Sequence, residues 1–230
     1  MLAKRVRVDI YGKLSRSGLY SGYAVDGEQK TGAYVISARP VYDFLYGVVI
    51  AVITLADSKD IKLVVAPVNE HYYEPQIREL LSVHRNIRIG KITCLYEKSC
   101  GAVVFHRSKQ GVRILFVKNH NGRYWSFPKG HIESHESEKQ TAIREIKEET
   151  NLDVELISDF RETTSYCPFG KIKKHVVFFL AQAFTDDVKI QQSEIDKYMW
   201  VDFQQAKKLC NYENDLKLIN KAEFYIERLK

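Results

Sequence analysis

Apolar and polar positions alternate along this chain in two rhythms. Near the N-terminus Val6, Val8 and Ile10 alternate with Arg5, Arg7 and Asp9, the two-residue period of a strand with one buried face. The continuous apolar runs GVVIAVITLA (47–56) and KLVVAP (62–67), bounded by turn-forming residues, predict two further strands. A helix is expected over 75–85. Pro75 suits its first turn, and Ile77, Leu80, Leu81 and His84 recur at helical spacing, so His84 edges a core rather than binding metal. A second series of elements begins near residue 95. GAVVFH (101–106) and VRILFVK (112–118) predict strands paired around RSKQG, and NHNGRY predicts a loop. A helix over 136–150 follows, then strands at HVVFFLAQAF (175–184) and YMWVDF (198–203). A last helix over 214–229 gathers Leu218, Ile219, Ala222, Tyr225, Ile226 and Leu229 into one apolar stripe. The pattern divides the chain into a mostly-β domain over 1–94 and an α/β domain over 95–230.

Composition agrees with folded domains: of 230 residues, 45% are hydrophobic and 28% charged. The net charge of +6 suits an anionic ligand such as a nucleotide polyphosphate. Lysines and arginines are scattered rather than blocked, which makes RNA an alternative partner and not the default. No stretch reaches membrane-spanning length and the N-terminus lacks a leader's apolar core, so a cytoplasmic protein without a membrane partner is expected. Cys94, Cys100, Cys167 and Cys210 show neither zinc-type pairing nor a disulfide framework, and read as reduced thiols.

The stretch WSFPKGHIESHESEKQTAIREIKEETNL (125–152) changes the picture. On its helix Glu145, Glu148 and Glu149 stand at i, i+3 and i+4, so three carboxylates share one face at a cost of a few tenths of a kcal/mol per like-charged pair. Ala142 and Ile146 supply the face that packs on a sheet. A hard divalent cation would remove the repulsion, because Mg2+ prefers carboxylate oxygens and keeps waters for substrate phosphates. Asn151 suits the left-handed residue that ends such a helix.

The spacing Gly130, five residues, Glu136, seven residues, Arg144-Glu145-Ile146-Lys147-Glu148-Glu149, then Asn151-Leu152 resembles the Nudix box, G-x5-E-x7-R-E-U-x-E-E-x-G-U, over 130–152. Asn151 replaces its last glycine. The resemblance to Nudix hydrolases implies an α/β/α sandwich with a mixed sheet. It implies Glu148 and Glu149 as the main Mg2+ ligands, with Mn2+ a substitute, and Glu145 as a further ligand or the base. Glu136 and Arg144 would brace the loop against the helix, and the Lys129 carbonyl would reach the metal.

The flanks YWSFPKGHIE, FRETTSYCPFGKIKKHVVFFLAQAF, SEIDKYMWVDF and NYENDLKLINKAEFYI resemble asymmetrical diadenosine tetraphosphate hydrolases over most of 95–230. That resemblance implies cleavage of diadenosine tetraphosphate to ATP and AMP. It places Lys129, His131, Tyr166, Lys171 and Lys173 toward the phosphates, Glu194 as a further metal-binding or basic glutamate, and Tyr212 toward adenine. Trp125, Phe127 and Trp200 read as core, His120 and His135 as surface. The alternatives are removal of pyrophosphate from RNA 5′ ends and, in another class, a nucleotide-sensing or scaffold role carried by the N-terminal domain. That domain resembles the barrel of soluble inorganic pyrophosphatases in degenerate form. Asp26-Gly27-Glu28 and the set Asp57, Asp60, Lys62 stand where the family keeps fuller acidic motifs. The depletion implies an inactive relative that folds, presents a ligand or forms a homodimer.

Overall fold

The computed structural model describes every residue except 16, 17, 59, 169 and 230. The chain forms two compact units, Met1–Glu97 with Tyr166–Lys174, and Lys98–Ser165 with His175–Lys230.

The first unit contains β1 (Arg5–Lys13), β2 (Leu19–Asp26), β3 (Gln29–Ile36), β4 (Phe44–Leu55), β5 (Ile61–Ala66), α1 (Glu74–Ser82) and β6 (Ile89–Cys94). The strands run β1-β2-β3-β5-β4, and β4 pairs back onto β1, so the pairings close a ring with β6 added on β4. Only β3 and β5 pair in parallel among the pairings described; the others are antiparallel. Period-two alternation separates two cores. Val6, Val8, Leu63 and Val65 turn to one cluster, while Val64 and Ala66 join Ile50, Ile53, Cys94 and the α1 residues Ile77 and Leu81 in another. The expected strands at 47–56 and 62–67 fall within β4 and β5. β2 and β3 escape a pattern reading because Ser21, Gly22, Gly32 and Ala33 dilute their apolar alternation. The helix expected over 75–85 stops at Ser82, and His84 sits in the following turn, its N–H donating to the Leu81 carbonyl at 3.2 Å.

The sheet order β10-β11-β7-β8-β12, with β9 on β7, comprises β7 (Tyr96–Ser108), β8 (Gly111–Asn119), β9 (Lys129–His131), β10 (Val154–Tyr166), β11 (Lys173–Ala183) and β12 (Ile195–Val201). Its two faces are covered by different helices. Ala102, Val104, Leu115, Val117, Val177 and Phe179 meet Ala142 and Ile146 of α2 (Glu138–Thr150). The intervening residues Val103, Phe105, Ile114, Phe116, Val176 and Phe178 meet Ala206 of α3 (Phe203–Leu209) and Leu218, Ile219, Ala222 and Ile226 of α4 (Glu213–Arg228). This is the α/β/α sandwich. One expectation needs correction, and one strand went unread. The strand expected through Phe203 ends at Val201, because Asp202 caps α3 by accepting the Gln205 N–H at 2.8 Å. β10 went unread because few of its residues are buried.

Helix α2 begins at Ser137 with a capping box to Gln140 and ends at Asn151, whose φ of 58° is left-handed. Its first turn is pinned to the sheet by ions. The Arg161 guanidinium takes both Glu138 oxygens at 2.7 and 2.9 Å, and Lys98 Nζ adds a contact at 2.8 Å. The Arg161 hydrogen bonds hold Glu138 down to about 2, below its ordinary 4.5. Because folding depresses this pKa, the cluster stabilises fully above pH 4.5 and fades as the pH falls toward 2. Glu138→Gln is therefore expected to lower unfolding free energy by about 2 kcal/mol at neutral pH and by progressively less through that acid window, read by urea titration at several pH values.

Candidate active site

The acidic helix delivers its side chains to two environments. Glu145 and Glu149, one turn apart, are 8% and 2% exposed, whereas Glu148 reaches solvent. The three carboxylates differ in exposure, although Glu145 and Glu148 still meet at one Arg144 nitrogen. Opposite them, β9 brings Gly130 under α2. A Cβ built on Gly130 would lie 2.0–2.2 Å from the Glu145 carboxyl atoms, so only glycine leaves that carboxylate its place. The strand is itself held close, since β9 pairs with β7 through Cys100↔Gly130 and Gly101↔Lys129.

Arg144 joins the pieces. Its Nε and Nη2 take Glu136 Oε1 and Oε2 at 2.7 and 3.0 Å, and Nη2 also reaches the His131 carbonyl at 3.0 Å. Its Nη1 donates to Glu145 Oε1 at 2.8 Å and Glu148 Oε2 at 2.9 Å. Glu136 further accepts the Thr141 hydroxyl at 2.8 Å and the Glu133 N–H at 3.2 Å. The bond from Arg144 holds Glu136 down to about 2. Thr141 was not anticipated; its position on the buried side of α2, five residues after Glu136, was the available signal.

Burial acts the other way on the inner pair. It pushes the Glu145 carboxyl up, against the Arg144 contact, and Glu148 and Glu194 push further. It pushes Glu149 up more strongly, against the Lys129 charge, with Glu145 and Glu194 adding to the rise. Glu149 Oε2 accepts the Lys129 N–H at 3.2 Å. The segment before β12 that carries Glu194 also closes the helix end, as Lys189 and Gln191 N–H groups donate to the Thr150 and Glu149 carbonyls at 3.0 and 3.2 Å.

Among the described residues no three His, Cys, Asp or Glu side chains converge as a ready metal cage. Arg144 Nη1 bridges Glu145 and Glu148, where a cation would compete for them. The donor set nevertheless fits a hard divalent ion. It is all oxygen, and two of its carboxylates are buried at a desolvation cost that a metal charge would offset.

The remaining candidates separate. Lys129 interacts electrostatically with both Glu149 and the half-buried Asp215, whose carboxyl burial raises. Asp215, with Thr164, Phe178 and Asn214, lines a cavity of about 360 Å³ between β10, β11 and α4 that the sequence did not reveal, although Asp215 lies three residues beyond Tyr212. Tyr212 precedes α4 and packs edge-on against Tyr124 with ring centroids 5.7 Å apart. His131 lies on β9 with an exposed side. Tyr166, Lys171 and Lys173 belong to the first unit, where the Lys173 N–H donates to the Leu95 carbonyl at 2.8 Å. Phe127 is buried, and Trp125 and Trp200 pack on the two cores.

A model of the NUDIX domain matches residues 95–222. The asymmetrical bis(5′-nucleosyl)-tetraphosphatase of Sus scrofa is 32% identical over 133 residues, 53% of this chain and 89% of that protein. An RNA pyrophosphohydrolase of Campylobacter jejuni subsp. doylei is 28% identical over 131 residues, 51% of this chain and 84% of its own. A crystal structure of a C. elegans Ap4A hydrolase binary complex aligns with a TM-score of 0.53 at 29% identity, covering 57% of this chain and 98% of that one.

Gly130→Ala tests the packing under α2. Its methyl group meets the Glu145 carboxylate rather than backbone, so the fold is expected to survive with a stability change under about 1.5 kcal/mol while hydrolytic kcat falls at least tenfold. Denaturant titration alongside turnover separates the two effects.

Proposed function

The chain belongs to the NUDIX family and is a hydrolase of it, and we propose that it splits dinucleoside polyphosphates, diadenosine tetraphosphate to ATP and AMP, with Mg2+. The observation that carries this reading is the pair of buried glutamates braced by Arg144 over Gly130, in a domain about 30% identical to asymmetrical tetraphosphatases. In this reading Glu148 and Glu149 would hold Mg2+, or Mn2+ in its place, with the Lys129 carbonyl beside them. The ion would neutralise polyphosphate oxygens and make bound water easier to deprotonate.

The chain's own groups have the remaining tasks. Arg144 fixes Glu145 through Oε1 and leaves Oε2, over Gly130, to coordinate the ion or to take a proton from water attacking phosphorus. Glu194 adds negative charge that raises the basicity of both inner glutamates. The Lys129 ammonium and His131 meet the phosphates, and Lys129 already balances Glu149 and Asp215. Tyr212 with Tyr124 offers a ring surface for adenine. Tyr166, Lys171 and Lys173 are retained as phosphate contacts on the sequence resemblance alone. Four free cysteines support action in the reducing cytoplasm, and no described helix is long and apolar enough to cross a membrane.

A second reading, removal of pyrophosphate from RNA 5′ ends, is favoured by the likeness to the Campylobacter enzyme. Chromatography of products from the two substrates in Mg2+ distinguishes them. ATP plus AMP in equal amounts is expected, and Glu149→Gln is expected to lower kcat by about a hundredfold or more. Turnover of 5′-triphosphate RNA without turnover of the dinucleotide would replace the first reading with the second. Inertness toward both, in Mg2+ and in Mn2+, would remove both.

A further inference from the structure

The sequence shows no basic block, yet the charge is not evenly shared. The first unit carries 16 lysines and arginines against 10 acidic residues, and the second 19 against 19, so the whole excess of +6 lies in the first. The same unit exposes aromatic rings on its sheet. Tyr46 and Tyr11 are 66% and 64% exposed, Phe44 and Tyr23 48% and 46%.

These rings are neighbours. β1 pairs with β2 on one side and β4 on the other, and Asp9 is in register with both Tyr23 and Phe44, while Arg7 is in register with Tyr46. Residues directly opposite on adjacent strands share a face. Tyr23 and Phe44 therefore flank β1 at two strand spacings, about 10 Å apart. Tyr11 lies against Tyr23 with centroids 5.0 Å apart, and Phe44 lies 5.6 Å from Tyr46. The Arg7 guanidinium stands 4.6 Å over the Phe44 ring and neutralises Asp9 through a 2.7 Å bond. Single exposed tyrosines are ordinary, but four rings on three adjoining strands with a guanidinium between them form a continuous patch.

We infer that this β4-β1-β2 face of the first unit binds single-stranded RNA, its bases stacking on Tyr11, Tyr23, Phe44 and Tyr46 and its phosphates meeting the exposed Arg5 and Arg7 of β1. Stacking takes any base, since each has a π-face, and the positive excess supplies backbone affinity; together these recognise unpaired strands without reading sequence. RNA is the polymer that routinely offers unpaired, splayed bases. The inference does not depend on which substrate the glutamate site hydrolyses.

The test uses the full chain, EDTA, and a 3′-labelled twelve-nucleotide RNA with a 5′-hydroxyl, which gives the hydrolytic site nothing to cleave. Fluorescence anisotropy is expected to show binding that weakens with salt, and a duplex of the same sequence bound at least about tenfold more weakly. Tyr23→Ala, Phe44→Ala and Tyr46→Ala are each expected to cost about tenfold in affinity. Phe44→Leu, which keeps the apolar bulk, is expected to lose as much, whereas Tyr46→Phe keeps the ring and binds within twofold of the parent. Unchanged affinity in the alanine variants, or equal binding of duplex and single strand, would overturn the inference. So would DNA of the same sequence binding more than tenfold tighter than RNA. A triple alanine variant that dissociates a dimer in sedimentation yet keeps its RNA affinity would also overturn it, reassigning the face to a second copy.

Discussion

The bidentate bond between Arg144 and Glu136 is the constraint on which the glutamate site depends. It ties the loop before α2 to the middle of that helix, and the same guanidinium reaches the His131 carbonyl and two further glutamates. A lysine has the charge but not the planar fork, and would satisfy one of these partners at a time. One cation thus positions a strand, a loop and a helix face together. With Glu136 held ionised, the geometry persists across the pH range in which nucleotides are handled.

Behind that tie, the site keeps negative charge where water is scarce. Arg144 meets Glu145 and the Lys129 charge faces Glu149, yet burial outweighs both cations and raises both carboxyls. Left alone they are unfavourable for the fold. In the function proposed above, they would serve as ligands or proton acceptors held in place before ion and polyphosphate arrive. Destabilised acids inside a well-packed sandwich are what hydrolysis of a phosphoanhydride requires.

Legibility in the sequence followed burial and spacing. Continuous apolar runs announced β4, β5, β7, β8 and β11, and the stripe from Leu218 to Leu229 announced α4. β2, β3 and β10 stayed hidden because small or exposed residues interrupt their alternation, and pairing across the sheet holds them instead. The acidic box was legible because its residues lie within 23 positions, 130–152, at helical intervals. What spacing could not show is exposure: the helix turns Glu149 inward and leaves Glu148 at the solvent side. Asp215, Thr164 and Phe178 escaped because three distant segments meet only after the sheet has formed.

The nine residues Tyr166–Lys174 belong with Met1–Glu97, although Lys98–Ser165, 68 residues of the other unit, separate them along the chain. The polypeptide therefore passes between the units three times, after residues 97, 165 and 174. A ribosome that has released the first 97 residues has not yet supplied everything the first unit contains. One of its contacts, the Lys173 amide on the Leu95 carbonyl, waits for most of the second unit's sheet to emerge. The two units are consequently linked in biogenesis, and completion of the earlier one is timed by the later.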